Sequence, residues 1–299
     1  MNIEQMNIAG LNVPERVGVL GGGRMGAGIA HAFLLAGADV VVVERSADDA
    51  DAARARIEKA IDASIERGTT SRLTTSVARS QLTAMLTVGD ESRLFADREL
   101  VVEAVPEDRA LKLDALSMVE QQVSAEAAIA TNTSSISITA LAAGLQLPER
   151  FIGLHFFNPV PASALVEIVV GEATSAGLVE AAQGWVTAIG KTPVTVQDAP
   201  GFASSRLGVA LGLEAIRMLE DGVASADDID AAMVLGYKHP IGPLRLTDIV
   251  GLDVRLAIAE YLHGELGPRF EPPSLLRTMV AEGKLGRKAG QGFYTWDER

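Results

Sequence analysis

The chain has 299 residues, too many for one ordinary domain and a natural length for two. Hydrophobic residues make up 48% against 22% charged, which excludes a disordered chain, and the lack of cysteine excludes disulfides, thiolate catalysis and a Cys-based zinc site. A formal net charge of −13 disfavours nucleic acid and anionic membranes as partners, and no apolar run approaches a transmembrane length.

Residues 1–13 lack basic charge and a long apolar core, so they read as a loose arm rather than a signal peptide, and a cytoplasmic protein is expected. Arg16–Leu20 is a short apolar run. Gly21-Gly22-Gly23-Arg24-Met25-Gly26 follows, then a helix-like stretch from Ala27 to Leu35 and a buried-strand pattern over Ala38–Val43. This order is a βαβ unit, and its turn fits G-x-G-x-x-G. Gly21 permits the tight turn, Gly23 lets the backbone approach a pyrophosphate, and Gly26 lets the helix pack on the strand. Arg24 and Met25, between the glycines, are candidate cofactor contacts. Glu44 ends the next strand, where a carboxylate bonds a ribose 2′-hydroxyl and repels a 2′-phosphate. NAD is therefore the expected cofactor. Arg45 and Ser46 keep NADP open, and a structural Gly turn beside a solvated Glu44 is the plain alternative.

A helix rich in Ala and charge is expected over Asp48–Arg67. Leu100–Val105, Ala128–Thr131 and Phe151–Leu154 read as strands, with a helix at Leu111–Val123 between the first two. Strands alternating with helices argue an α/β fold with a Rossmann-type, doubly wound, mostly parallel sheet over residues 14–197. Beyond Asp198-Ala199-Pro200-Gly201 the pattern becomes helical, roughly Ala203–Glu220, Ala226–Leu235, Thr247–Leu262 and Ser274–Glu282, giving an all-α domain over 198–299. Ser225 and Asp228 fit a capping box, and Gly222 fits a helix stop.

None of the four histidines sits in a ligand-like spacing, so no metal site is expected. His31 reads as packed, His239 as a turn residue and His263 as a helix-end cation. His155 is different. It ends a strand just before Phe156-Phe157-Asn158-Pro159, and Ala164–Val170 then resumes an extended run. In a hairpin centred on Pro161, His155 and Glu167 stand opposite each other. A glutamate in an apolar strand needs a partner, and a histidine fixed by that partner can exchange a proton at its other nitrogen. The plain alternative is a pair that merely satisfies itself. Ser134, in the turn after Ala128–Thr131, lies at the carboxyl end of a strand, where ligand crevices form; it is a candidate donor to a substrate oxygen or a simple turn serine.

Taken together, NTSS (132–135), GLHFFNPVP (153–161), LVE (165–167), DAPGF (198–202), IGPL (241–244) and GRKAGQGFY (286–294) resemble the 3-hydroxyacyl-CoA dehydrogenase family, closest to its free-standing bacterial 3-hydroxybutyryl-CoA members. The resemblance runs from about residue 15 to the end. It implies reversible, NAD-dependent oxidation of a short (S)-3-hydroxyacyl-CoA, with His155 as acid/base, Glu167 as its partner and Ser134 on the 3-oxygen. It further implies that Asn158, Glu107, Lys112 and Lys288 contact the cofactor; Lys112 and Lys288 would otherwise read as solvated charges. Ser205 stands where the family has an asparagine near the substrate. Arg67 aligns with a CoA-contacting lysine, and with Arg54, Arg56, Lys59 and Arg72 it forms a basic stretch for CoA phosphates, unless Asp51, Glu58, Asp62 and Glu66 neutralise it. The helical domain implies a homodimer and closure over the substrate, although Leu207, Leu211, Leu213 and Ile216 would equally suit an internal core. Two rival readings remain: a sugar-acid or free hydroxy-acid dehydrogenase of the same plan, and a non-catalytic dinucleotide-binding protein.

Overall fold

Runs such as Val40–Val43, with no polar side chain to expose, suit strands covered on both faces. In the computed structural model, which describes residues 13–69 and 75–296, they form such a sheet. Two compact units meet between Asp198 and Ala199. The predicted arm falls almost wholly outside the described residues, as does Arg72.

The first unit holds β1 (Arg16–Leu20), α1 (Arg24–Leu35), β2 (Asp39–Val43), α2 (Ala47–Glu66), α3 (Thr75–Ala84), β3 (Leu86–Gly89), β4 (Leu100–Glu103), α4 (Arg109–Gln122), β5 (Ala128–Thr131), α5 (Ile138–Ala142), β6 (Phe151–Phe156), β7 (Leu165–Val170), α6 (Ala176–Ala188) and β8 (Thr192–Gln197). The eight strands lie in the order β3-β2-β1-β4-β5-β6-β7-β8, and every pairing is parallel except β6–β7. The chain leaves β1 in one direction to reach β2 and β3, then returns to its other side for β4. A crevice opens between the carboxyl ends of β1 and β4 at that reversal. β3 and β8 carry no strand pattern in the sequence analysis. β3 has four residues, and β8 is an exposed edge strand containing Pro193, so neither shows a long apolar run.

Side-chain caps start α2, α4 and α6: Ser46, Asp108 and Ser175 accept from Asp49, Leu111 and Leu178 N–H. α1 has no such cap; it begins at Gly23, and its first N–H groups keep no side-chain acceptor.

The second unit is helical: α7 (Ser204–Glu220), α8 (Ala226–Ala231), α9 (Pro243–Val250), α10 (Leu252–Leu266) and α11 (Ser274–Ala281). Two expectations need correction. The helix expected over Thr247–Leu262 is two helices, broken at Gly251, whose φ of 105° no helix accommodates. The helix from Ala226 loosens into a π-type turn after Ala231. The apolar face of α7 also divides: Leu213 and Ile216 are core, whereas Leu207 is 70% exposed. No helix among the described residues is long and apolar enough to cross a membrane.

His31 of α1 is buried, with Nε2 3.0 Å from Ser64 Oγ of α2. Burial, aided by the nearby Lys191 charge and opposed by a hydrogen bond from the ring to the Ala60 backbone carbonyl, pulls its pKa down to about 4. A depressed histidine pKa means the folded state holds the ring neutral. Stability is therefore complete above pH 6.5 and falls as the unfolded chain protonates below it, by roughly 2 kcal/mol at about pH 5. Urea unfolding of wild type and His31→Gln across this range is expected to show a flatter profile in the variant. Identical slopes would contradict a buried neutral His31.

Candidate cofactor and active site

The glycine turn does what its spacing requires. Gly21 takes φ 91° and donates to Val43 O, and a Cβ on Gly26 would fall 1.7 Å from Gly21 O. A Cβ on Gly23 would meet nothing within 4 Å, so this stretch of backbone faces open space at the uncapped start of α1. A cavity of ≈ 950 Å³ opens there, lined by Gly21, Gly23, Arg24, Met25, Glu44, Glu107, Lys112 and Ser134. These candidates from separate parts of the sequence thus share one space, large enough for a dinucleotide. Glu44 is oriented by Gly22 N–H, which donates to Oε1 at 2.7 Å. Arg45 and Ser46, the residues that left a 2′-phosphate open, are both engaged by Asp49: Arg45 at 2.6 Å and Ser46 as the α2 cap.

Further along the same edge, β6 and β7 pair antiparallel with His155 and Glu167 as register partners. His155 Nδ1 lies 2.8 Å from Glu167 Oε2, with both side chains buried. The Phe157 ring packs on the imidazole with centroids 4.5 Å apart. Asn132, in the turn after β5, accepts from Phe156 N–H at 2.8 Å, and so ties the Ser134 turn to the histidine's strand. Asn158 lies exposed just beyond, before a cis bond to Pro159.

The Ser134 turn is built around Glu107. Its Oε1 accepts from Thr133 Oγ1 at 2.6 Å and from the N–H groups of Ser134 at 2.9 Å and Ser135 at 3.2 Å. Burial opposes the charge, but Lys112 and these donors outweigh it and hold the carboxyl below the ordinary range. Asp198 grips the far end of the turn, accepting from Ser137 Oγ at 2.6 Å and Thr139 N–H at 2.8 Å.

Lys112 is not the solvated charge its helical position suggests. It is 1% exposed, with Nζ 2.8 Å from Glu103 Oε1 and 3.4 Å from Glu107 Oε2. Glu103, at the carboxyl end of β4, is fully buried and also accepts from Val105 N–H and Thr131 Oγ1. The sequence reading missed it, although the signal was the one that singled out Glu167: a lone glutamate in an apolar strand.

A family model for the 3-hydroxyacyl-CoA dehydrogenase NAD-binding domain matches residues 16–199, and that for the C-terminal domain matches residues 201–296. The chain belongs to the 3-hydroxyacyl-CoA dehydrogenase family. Its first unit is an NAD-binding domain. It is 43% identical, over 94% of its length and 98% of the relative, to the 3-hydroxybutyryl-CoA dehydrogenase of Mycobacterium tuberculosis. It is 42% identical, over 94% of its length and all of the relative, to the probable 3-hydroxybutyryl-CoA dehydrogenase of Deinococcus radiodurans. The crystal structure of the (S)-3-hydroxybutyryl-CoA dehydrogenase of Ralstonia eutropha superposes with a TM-score of 0.89 at 39% identity, over 95% of this chain and all of that one.

Two family motifs in the second unit prove to be structural ties. Buried Asp248 of α9 accepts from Phe293 N–H, Tyr294 N–H and Trp296 Nε1, fastening the GRKAGQGFY segment. Asp230 accepts from Leu244 and Arg245 N–H within and after IGPL, and from Tyr294 Oη. In this segment Lys288 pairs with Asp253 at 2.6 Å. Ser205 sits in the first turn of α7.

The buried Lys112 gives a direct test. Lys112→Met strands Glu103 in the sheet and is expected to destabilise by about 3–5 kcal/mol in denaturant titration. A change within about 0.5 kcal/mol would return Lys112 to a surface charge.

Proposed function

We propose that this chain interconverts a short (S)-3-hydroxyacyl-CoA, 3-hydroxybutyryl-CoA first, and its 3-oxo product, reversibly and with NAD. The observation that carries the proposal is the buried His155–Glu167 pair beside the Ser134 turn, at the carboxyl ends of strands whose neighbours shape the cofactor cavity.

When bound, NAD supplies the hydride acceptor for the carbinol carbon. Gly21 and Gly23, with Arg24 and Met25, would hold its pyrophosphate, with Gly26 letting α1 pack close behind them, and Glu44 would hold a ribose. Glu107, Lys112 and Asn158 would hold its nicotinamide end, and Lys288 is a further contact that the family resemblance implies. His155 takes the hydroxyl proton at Nε2 in oxidation and returns it in reduction. Glu167 accepts Nδ1–H, which fixes the tautomer and stabilises the imidazolium once it forms. Ser134 donates to the substrate oxygen. Its backbone is locked by Glu107, so the hydroxyl is presented with little reorganisation. Glu44, and the engagement of Arg45 and Ser46 by Asp49, favour NAD over NADP.

Arg54 and Arg67 are assigned to the CoA phosphates. Glu58 and Asp62 turn to Arg79 of α3, and Arg54, Lys59 and Arg67 form no ion pair among the described residues. Among the described residues no acid of α2 forms an ion pair with Arg54, Lys59 or Arg67, which supports the CoA reading over the alternative of a self-paired helix. A homodimer through the helical unit is supported by Leu207, Val250 and Val254, each exposed by 41% or more. Ser205 in place of the family asparagine is assigned to substrate positioning, where it offers one hydroxyl instead of an amide.

Absorbance of NADH in the presence of acetoacetyl-CoA tests the proposal. Rapid oxidation is expected with the thioester and NADH, little with NADPH or free acetoacetate, and a loss of about 10²–10⁴-fold in His155→Ala. Turnover of free acetoacetate in preference to the thioester would contradict it.

A further inference from the structure

Lys191 is a charged group that the chemistry above leaves unused. It lies in the turn between α6 and β8, and its Nζ donates to Val160 O at 2.6 Å and Ser163 O at 2.5 Å. It forms no ion pair among the described residues, and burial lowers its pKa. A cation committed to two neutral carbonyls is uncommon enough to need a reason, because a carboxylate would hold it better.

Both carbonyls belong to the connection between β6 and β7. The strands themselves do not depend on Lys191. They pair from Gly153–Val169 to Phe156–Val166, and Thr192 N–H fastens the far end at Ala164 O. Beyond Phe156 the backbone ties are local: Ala162 and Ser163 N–H both return to Pro159 O, bonds internal to the loop. Yet this loop opens with Phe157, packed on the His155 imidazole, and with Asn158. Its Val160 is 2% exposed and presses on Gly28 of the cofactor helix α1, where a Cβ would fall 2.8 Å from Val160 Cβ. The loop therefore touches both the imidazole and the cofactor helix; Val160 anchors it by packing in the core, and Lys191 ties its backbone at the Val160 and Ser163 carbonyls.

We propose that Lys191 is a positioning residue, which acts through Val160 and Ser163 to hold Phe157 and Asn158 against His155 and the nicotinamide end of NAD. This rests on the reading of His155 and Asn158 given above. Ser134 and Asn132 occupy a different turn, fixed by Glu107 and Phe156, so the loss of Lys191 should leave substrate binding largely intact.

The test uses Lys191→Met and Lys191→Arg in the full chain. It reads kcat and both KM values for acetoacetyl-CoA reduction, and NADH affinity by fluorescence titration without substrate. Lys191→Met is expected to lower kcat by roughly ten- to a hundredfold, the scale of a small misplacement of reacting groups. It should also weaken NADH several-fold and leave the KM for acetoacetyl-CoA and the melting temperature nearly unchanged. Lys191→Arg should recover most of the loss. Wild-type values in Lys191→Met, or a fall in activity matched by a fall in melting temperature that Lys191→Arg does not rescue, would overturn the proposal. If wild type does not reduce acetoacetyl-CoA, the acyl-CoA reading fails. The NADH titration then still decides on Lys191, and an unchanged affinity in Lys191→Met would overturn its role.

Discussion

A carboxylate inside a parallel sheet must find a donor or give up its charge, and this site is arranged around two that find one. Glu103 ends β4 and Glu167 lies in β7, each in a strand that is otherwise apolar. Stripping water from an ionised carboxylate costs several kcal/mol, which only close, well-directed partners offset. Glu103 has Lys112, Thr131 and the Val105 N–H; Glu167 has His155. The first set fixes Lys112 and, through it, Glu107 and the Ser134 turn. The second fixes the imidazole. What lines the crevice follows from where these two charges are neutralised.

Topology brings the two sets together. β5 and β6 are parallel neighbours, so the Ser134 turn and His155 emerge at the same edge, and Asn132 joins them. β7 then runs back beside β6, which is the single antiparallel step in the sheet and the reason Glu167 can stand opposite His155. The same edge carries the glycine turn and Glu44 at the ends of β1 and β2. Hydride and proton chemistry need a cofactor, an acid/base and a hydroxyl donor within reach of one carbon atom, and a doubly wound sheet offers that at its carboxyl edge.

Much of this was legible because the signals were local. The apolar runs at Arg16–Leu20 and Ala38–Val43, flanking G-x-G-x-x-G, define a βαβ unit without reference to anything distant. The equal distances of His155 and Glu167 from Pro161 carried their cross-strand geometry. What was not legible depended on tertiary placement. Lys112 reads as a surface residue because a helix does not announce which lysine will reach back over a strand end to a carboxylate nine positions earlier. β8, with Pro193 and exposed threonines, looks like a loop until β7 supplies its partner. Lys191 sits in a polar turn and gains meaning only from two carbonyls some thirty residues away. The break at Gly251 was within reach, since a glycine inside an apolar helical pattern warrants suspicion.

The central claim is that Glu167 makes His155 an acid/base and is not there merely to satisfy the sheet. The most direct measurement is the steady-state rate of acetoacetyl-CoA reduction by Glu167→Gln beside wild type, with NADH affinity measured in both. The account predicts a fall in kcat of about a hundredfold or more with NADH affinity unchanged. A variant that binds NADH and turns over at the wild-type rate would contradict it.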